Sequence, residues 1–142
     1  MISPLAVALA VVALAGVVAA WLVVGRRMHQ LPASVAHHFD LLGRPDSWGK
    51  KQILWCLPGL VTVIVVAITL LALVAPPKSL PTHRDFEYLA FVEAYLAWLI
   101  FWLTTRTIDV GLGKRKTLGK GFCPIVLGTL ALVILLGSVY VW

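Results

Sequence analysis

Four nearly uninterrupted apolar runs dominate the chain: Pro4 to Val24, Ile53 to Ala75, Phe86 to Ile108 and Phe122 to Trp142. A helix rises about 1.5 Å per residue, so each run is long enough to cross a hydrocarbon core of about 30 Å. In lipid every backbone N–H and C=O needs a partner within the protein, and a helix supplies those partners locally. Composition agrees, since 61% of the 142 residues are hydrophobic and 13% are charged, against roughly 45–50% and about 25% in soluble domains. A soluble globule lacks the polar surface it would need here, and a disordered chain would be far less hydrophobic. The expected fold class is therefore all-α: one polytopic membrane domain over residues 1–142. Its transmembrane helices are expected at about 4–24, 53–75, 86–108 and 122–142, with an ordered loop at 31–51 between the first two.

The ends of the runs carry helix signals. Ser3 is placed to cap the first helix with Pro4 at its first position, where the missing N–H costs nothing. No Lys or Arg precedes this run, so a retained membrane helix is expected rather than a cleaved leader. Pro76 and Pro77 should stop the second helix, Pro58 and Gly59 should kink it, and Pro124 lies near the start of the fourth. Thr82 and Asp85 have capping-box spacing before the third run, whose far end carries Arg106 at the negative end of the helix dipole. Tyr140 and Trp142 form an aromatic pair suited to an interface.

Twelve Lys and Arg stand against six Asp and Glu. Five of the twelve (Arg26, Arg27, Arg44, Lys50, Lys51) fall between runs one and two. Two, Lys78 and Arg84, fall between runs two and three, and five (Arg106, Lys114, Arg115, Lys116, Lys120) precede run four. The positive-inside rule then puts the first and third loops in the cytoplasm and both termini outside. The partner implied by this charge is the bilayer, not nucleic acid. Lys114, Arg115, Lys116 and Lys120 form a basic, glycine-flanked linker expected to meet anionic headgroups. Although Gly111 to Thr117 is superficially like a phosphate loop, it lacks the Gly-Lys-Ser/Thr ending and no strand is expected before it.

Two helix faces stand out. Gly16 and Ala20 in run one, and Ala90, Ala94 and Ala97 in run three, are small residues at helical spacing that let backbones approach. Tyr88, Phe91, Tyr95, Trp98 and Trp102 form an aromatic seam on another face of run three. It is expected to pack or to face lipid, with an aromatic ligand wall as the alternative. Cys56 and Cys123 begin apolar runs without metal-type spacing and are expected as small core residues without a disulfide.

Between runs one and two, Leu31 to Lys51 is dense in Pro, Gly, His and Asp. Much of it has a structural explanation. Gly43 permits a left-handed turn, Arg44-Pro45-Asp46 suits a tight turn, Asp46 is placed to cap the helix leading to run two, and Trp48 with the lysines suits an interface. His37, His38, Asp40 and Asp46 are less well explained. Imidazole titrates near neutral pH and ligates metals, with a nearby carboxylate to orient it. Adjacent histidines diverge, however, and neither HExxH nor paired CxxC is present, so no metal and no cofactor is assigned. His38 is expected to form a structural hydrogen bond or to contact a ligand or partner.

On Leu31, Pro32, Val35, His38, Phe39, Asp40, Gly43, Pro45, Asp46, Trp48 and Lys51 the chain resembles the domain of unknown function that opens the SdpI-like proteins. These are bacterial membrane proteins that include the immunity factor against the SDP cannibalism toxin. Ala36 and His37 depart from the family pattern, which favours Pro and an aliphatic residue there, and make a helical turn feasible in the connector. The further membrane region of longer relatives is not recognised. The resemblance implies a multi-pass protein of the bacterial plasma membrane, with no enzymatic role, that binds a peptide toxin, a lipid or a cytoplasmic regulator. The alternative is a small proton-linked transporter, or one subunit of a homo-oligomer, built on Glu93. This acid lies about two turns inside run three, on the side of the alanines, where an acid is expensive and expected to face protein, water or a cation such as His83 or Arg84. Glu93 could also snorkel to the outer interface. No Ser-His-Asp or Cys-His constellation can be read, so catalysis has no positive support.

Overall fold

The computed structural model describes residues 3–74, 83–119 and 121–140. The elements in chain order are α1 (Pro4–Arg27), a 3-10 turn (Met28–Gln30), β1 (Ser34–Phe39), β2 (Pro45–Lys50), a second 3-10 turn (Lys51–Trp55), α2 (Cys56–Val74), α3 (His83–Gly111) and α4 (Phe122–Tyr140). Among the described residues three helical stretches are long and apolar enough to cross a membrane: Pro4–Gln30, Lys51–Leu70 and Phe86–Gly111. Phe122–Ser138 is a shorter apolar helix. This make-up is compatible with a multi-pass membrane protein of three or four spans, where four were expected.

Helix ends follow local chemistry. The Ser3 hydroxyl accepts the Ala6 N–H at 3.1 Å and caps α1. This helix runs on through Gly25 to Arg27, past the expected end at Val24, because backbone hydrogen bonding does not stop where the apolar run does. For the same reason α3 continues past Ile108 to Gly111. There the Lys114 N–H reaches the Asp109 carbonyl at 2.9 Å and the Gly113 N–H the Val110 carbonyl at 3.0 Å, with Gly113 at φ +71°. That is a Schellman stop, which requires a left-handed residue at this position. Residues 53–55 belong to the 3-10 turn, so α2 begins at Cys56. Pro58 is thus its third residue, where no intrahelical partner awaits the N–H. The expected stop at Pro76 and Pro77, the cap residue Thr82, and Lys78, Lys120 and Trp142 lie outside the described residues. The side chains of His83, Arg84, Asp85 and Tyr140 do as well.

The first and third helices run side by side in the same direction. Ala13, Ala20 and Ala97 are fully buried, and a Cβ on Gly16 would sit 2.9 Å from the Ala97 Cβ and 3.2 Å from its carbonyl carbon. The small-residue faces therefore meet as expected, and backbone approach, not side-chain bulk, sets this interface. α2 runs back antiparallel, with Val61 packed against Val17 and Ala97, and Trp21 Nε1 donates to Thr62 Oγ1 at 2.9 Å. α4 meets the aromatic seam of α3: Tyr88 donates to the Val133 carbonyl at 2.8 Å, Tyr95 and Thr129 share a hydrogen bond, and Trp102 stacks on Phe122 with centroids 6.4 Å apart. The seam is in large part a packing surface.

One expectation is corrected here. The connector, expected as an ordered loop of an all-α fold, is an antiparallel hairpin of β1 and β2, so the fold is mostly helical and carries a small two-stranded sheet. Ser34, Val35 and Ala36 pair with Lys50, Gly49 and Trp48, and then His38 pairs with Ser47 and Phe39 with Pro45. His37 and Asp46 are left as single-residue bulges. Asp46 therefore lies in a strand and caps no helix. The reversal falls at Asp40 to Gly43, ahead of the expected turn at 44–46, and Pro45 opens β2, a position a two-stranded sheet tolerates. Neither strand's sequence alternates apolar with polar residues, although in β2 half-buried and exposed positions alternate.

Candidate functional site

The hairpin is fixed rigidly at the basic end of the bundle. Val35 is fully buried in a cluster with Val24 of α1, Leu31, Leu54 of the second 3-10 turn and Ile108 of α3. Ala36 packs with Val110 and Leu118. Gly111 permits this approach, since a Cβ there would lie 3.0 Å from Leu31 Cδ2 and 3.3 Å from Val35 Cγ1. The Lys51 ammonium donates to the carbonyls of Met28 and Leu31 at 3.2 and 3.3 Å, satisfying groups released where α1 ends. The Lys51 N–H also reaches the Ala33 carbonyl at 3.1 Å. Leu31 and Lys51 are thus built into the scaffold, while Pro32 is exposed.

Asp40 organises the tip. Its Oδ1 accepts the N–H groups of Leu42 at 2.9 Å and Arg44 at 2.7 Å, and its own N–H reaches the Arg44 carbonyl at 2.9 Å. This is the Asx-type use of a short carboxylate, and it engages Asp40 with backbone. Gly43 has φ +73° and its carbonyl accepts the Leu118 N–H at 2.8 Å, joining the hairpin to the loop before α4.

What remains exposed is a narrow polar strip. His38 Nδ1 donates to Asp46 Oδ1 at 2.6 Å, with 69% and 46% of the two side chains accessible. The pair lies across the two strands at the bulges, and His38 Nε2 has no hydrogen bond among the described residues. His37 rests its ring against Gly49, 3.0 Å from where a Cβ would be, and Ser47 Oγ lies 3.4 Å from its Nε2. Beneath this strip is a crevice of about 310 Å³ whose walls include His37, His38, Cys56, Leu57, Thr107 and Phe122. Phe39 also lines it and pairs with Pro45. Trp48 is 55% exposed. Cys56 is exposed and lines the crevice, not the core where it was expected, and Cys123 is half-buried; neither forms a disulfide. Among the described residues no three His, Cys, Asp or Glu side chains are grouped to hold a metal ion.

A junction that the sequence did not reveal ties the two basic loops together. Arg27 Nη1 lies 3.1 Å from Asp109 Oδ1, and Arg115 Nε lies 3.9 Å from Asp109 Oδ2. The available signal was Asp109 itself, an acid near a helix C-terminus where the dipole disfavours it and where a cation is therefore needed. A partner 82 positions away could not be named from spacing. Lys114, Arg115 and Lys116 are exposed beside this junction. Arg106, 5.5 Å over the Trp102 ring, makes a cation–π contact on another face of α3.

Glu93 is 5% exposed on the alanine face of α3, at the α2 interface, where Thr69 Oγ1 donates to its Oε1 at 3.3 Å. It is far from the hairpin, so the two sequence-derived sites are not brought together. Phe91, Tyr95 and Trp98 line a groove of about 470 Å³ between α1 and α4. The Tyr95 and Thr129 hydroxyls there bond to each other, leaving little to orient a ligand.

Residues 5–62 match the family model described as a domain of unknown function, DUF1648. The match covers α1, the hairpin and the start of α2, less than half of the chain. No curated protein and no solved structure matches it.

Proposed function

We propose that this is a non-enzymatic binding protein of SdpI-like type in the bacterial plasma membrane. The hairpin faces the cytoplasm beside the basic linker, and both termini lie outside. The exposed His38–Asp46 pair carries the reading. Leu31, Val35, Asp40, Gly43 and Lys51 have evident structural work, but a 2.6 Å imidazole–carboxylate pair held across two bulges at the mouth of a crevice has none that the fold requires. Asp46 orients the ring, and Nε2 is then available to a peptide toxin, a lipid or a regulatory protein, with Trp48 and Phe39 as apolar neighbours. Occupancy of the crevice is the mechanism, as immunity or signalling demands. His38→Ala and Asp46→Asn should abolish protection in a toxin challenge, or capture of the partner, while membrane insertion and abundance stay unchanged. Full protection by both variants would refute the proposal.

A second reading rests on Glu93. On insertion scales a charged side chain at a span centre costs about 2.5–3.5 kcal/mol; Glu93 lies off-centre and costs less, but a single hydroxyl donor offers it little compensation. A carboxyl group so placed suits a proton-linked transport path, completed by a second copy of the chain because four helices enclose little space. Glu93→Gln should then abolish proton flux in proteoliposomes carrying a pH-sensitive dye. Flux equal to that of the unmodified protein would exclude this role.

A further inference from the structure

The hairpin tip breaks the usual chemistry of turns. Positions between the strands normally hold Gly, Asn, Asp or Ser, yet here they hold Leu41 and Leu42, 78% and 61% exposed. Neither leucine belongs to a buried cluster, and the turn itself is built by Asp40 and Gly43. Two adjacent leucines left open need a covering surface.

The fold places the tip at a definite height. Gly43 bonds to Leu118, and a Cβ on Gly43 would lie 3.4 Å from the Cβ of Phe122, the first residue of α4. Strand residues 37–39 share their crevice with Leu57 near the start of α2, Leu103 and Thr107 in the last turns of α3, and Phe122. Leu103 is eight residues before the end of α3, about 12 Å along the axis. The hairpin thus lies alongside the ends of the apolar helices and does not project beyond them. Around the tip exposed cations predominate: Arg44 two positions from Leu42, and Lys114, Arg115 and Lys116 on the neighbouring loop, while the exposed acid Asp46 is engaged by His38.

We infer that the tip is a membrane-interface anchor: Leu41 and Leu42 insert into the leaflet at the basic end of the bundle, with the flanking cations on anionic phospholipid headgroups. Apolar side chains next to Lys and Arg, at the level where helices enter lipid, are the pattern of interfacial elements that sink about 5–10 Å into the headgroup–acyl boundary. The anchor would hold the crevice and the His38–Asp46 strip at headgroup height, open sideways to the bilayer. This inference rests on the helices spanning a membrane but not on any role for His38.

The test uses the full chain with Cys56 and Cys123 replaced by Ser, and one new cysteine at a time: Leu42→Cys, Lys116→Cys or Val63→Cys. Each is labelled with an environment-sensitive fluorophore and reconstituted into vesicles of phosphatidylcholine and phosphatidylglycerol. Residue 63, exposed on α2, controls for spanning. Label at 42 should show blue-shifted emission, quenching by shallow nitroxide-labelled lipid and loss of quenching by aqueous iodide, with label at 116 showing the reverse. Iodide quenching at 42 equal to that at 116, with 63 still lipid-quenched, would overturn the anchor and leave the tip open to a soluble partner while the spans stand. Iodide quenching at 63 would remove the spanning premise and the anchor together. Leu42 makes no core contact, so its replacement leaves folding intact.

Discussion

Substituting Gly16 tests whether backbone contact between α1 and α3 organises the bundle. Gly16→Ala adds one methyl group at a point 2.9 Å from the Ala97 Cβ and 3.2 Å from its carbonyl carbon. Neither atom lies on a flexible side chain, so relief requires the helices to separate. Overpacking of this kind costs about 1–3 kcal/mol. Against it stands the gain of about 1 kcal/mol when Ala replaces Gly inside a helix. The net is a destabilisation of roughly 0–2 kcal/mol, too loose to test alone. Gly128 supplies the control, because it is also within a helix and a Cβ there meets nothing within 4 Å. Gly128→Ala keeps the propensity gain and loses the clash, so the two variants should differ by about 1–3 kcal/mol, or roughly 5- to 150-fold in folded ratio. Reversible unfolding in mixed detergent micelles with increasing SDS, followed by circular dichroism, measures the difference. If both alanines shift the midpoint in the same direction by the same amount, close approach at Gly16 is not what holds α1 to α3.

Removing either member of the Arg27–Asp109 pair should cost little alone. A double-mutant cycle of Arg27→Gln with Asp109→Asn should give a coupling of about 0.2–1 kcal/mol, because both groups are partly solvent-accessible; zero coupling in the same unfolding assay would mean that the contact joins the two loops without energetic effect. Gly43→Ala places a side chain at φ +73° and 3.2 Å from the Leu118 Cβ, a cost of at least about 1–2 kcal/mol from the left-handed backbone. Hydrogen exchange should then speed up at the Leu118 amide and through the hairpin while the helices keep their protection, and unchanged exchange at Leu118 would refute the proposed link.

Which parts of the molecule were legible beforehand follows from the range of the interactions involved. Hydrophobic runs, a serine before a proline, and alanines three and four apart act within one or two helical turns. The helices, the Ser3 cap, the Gly16 and Ala97 faces and the position of Glu93 could therefore be read directly. The hairpin could not. Its strands lack alternation of apolar with polar residues, and its turn depends on a carboxylate capturing two backbone N–H groups, a device open equally to Asp40 and Asp46. Only the docking of Val35 and Ala36 against α3 selects the register that places one aspartate in the turn and the other across from His38.

Sequence alone determined that this chain builds helices long and apolar enough to cross a membrane and that they bury small residues, because those outcomes depend on side-chain apolarity and local periodicity. Tertiary structure decided which polar groups meet: Arg27 with Asp109, Leu118 with Gly43, Thr69 with Glu93 and His38 with Asp46. Three of these pairs join distant segments, and the fourth depends on strand register. Contacts of that kind are fixed by packing of whole elements, which no local pattern encodes.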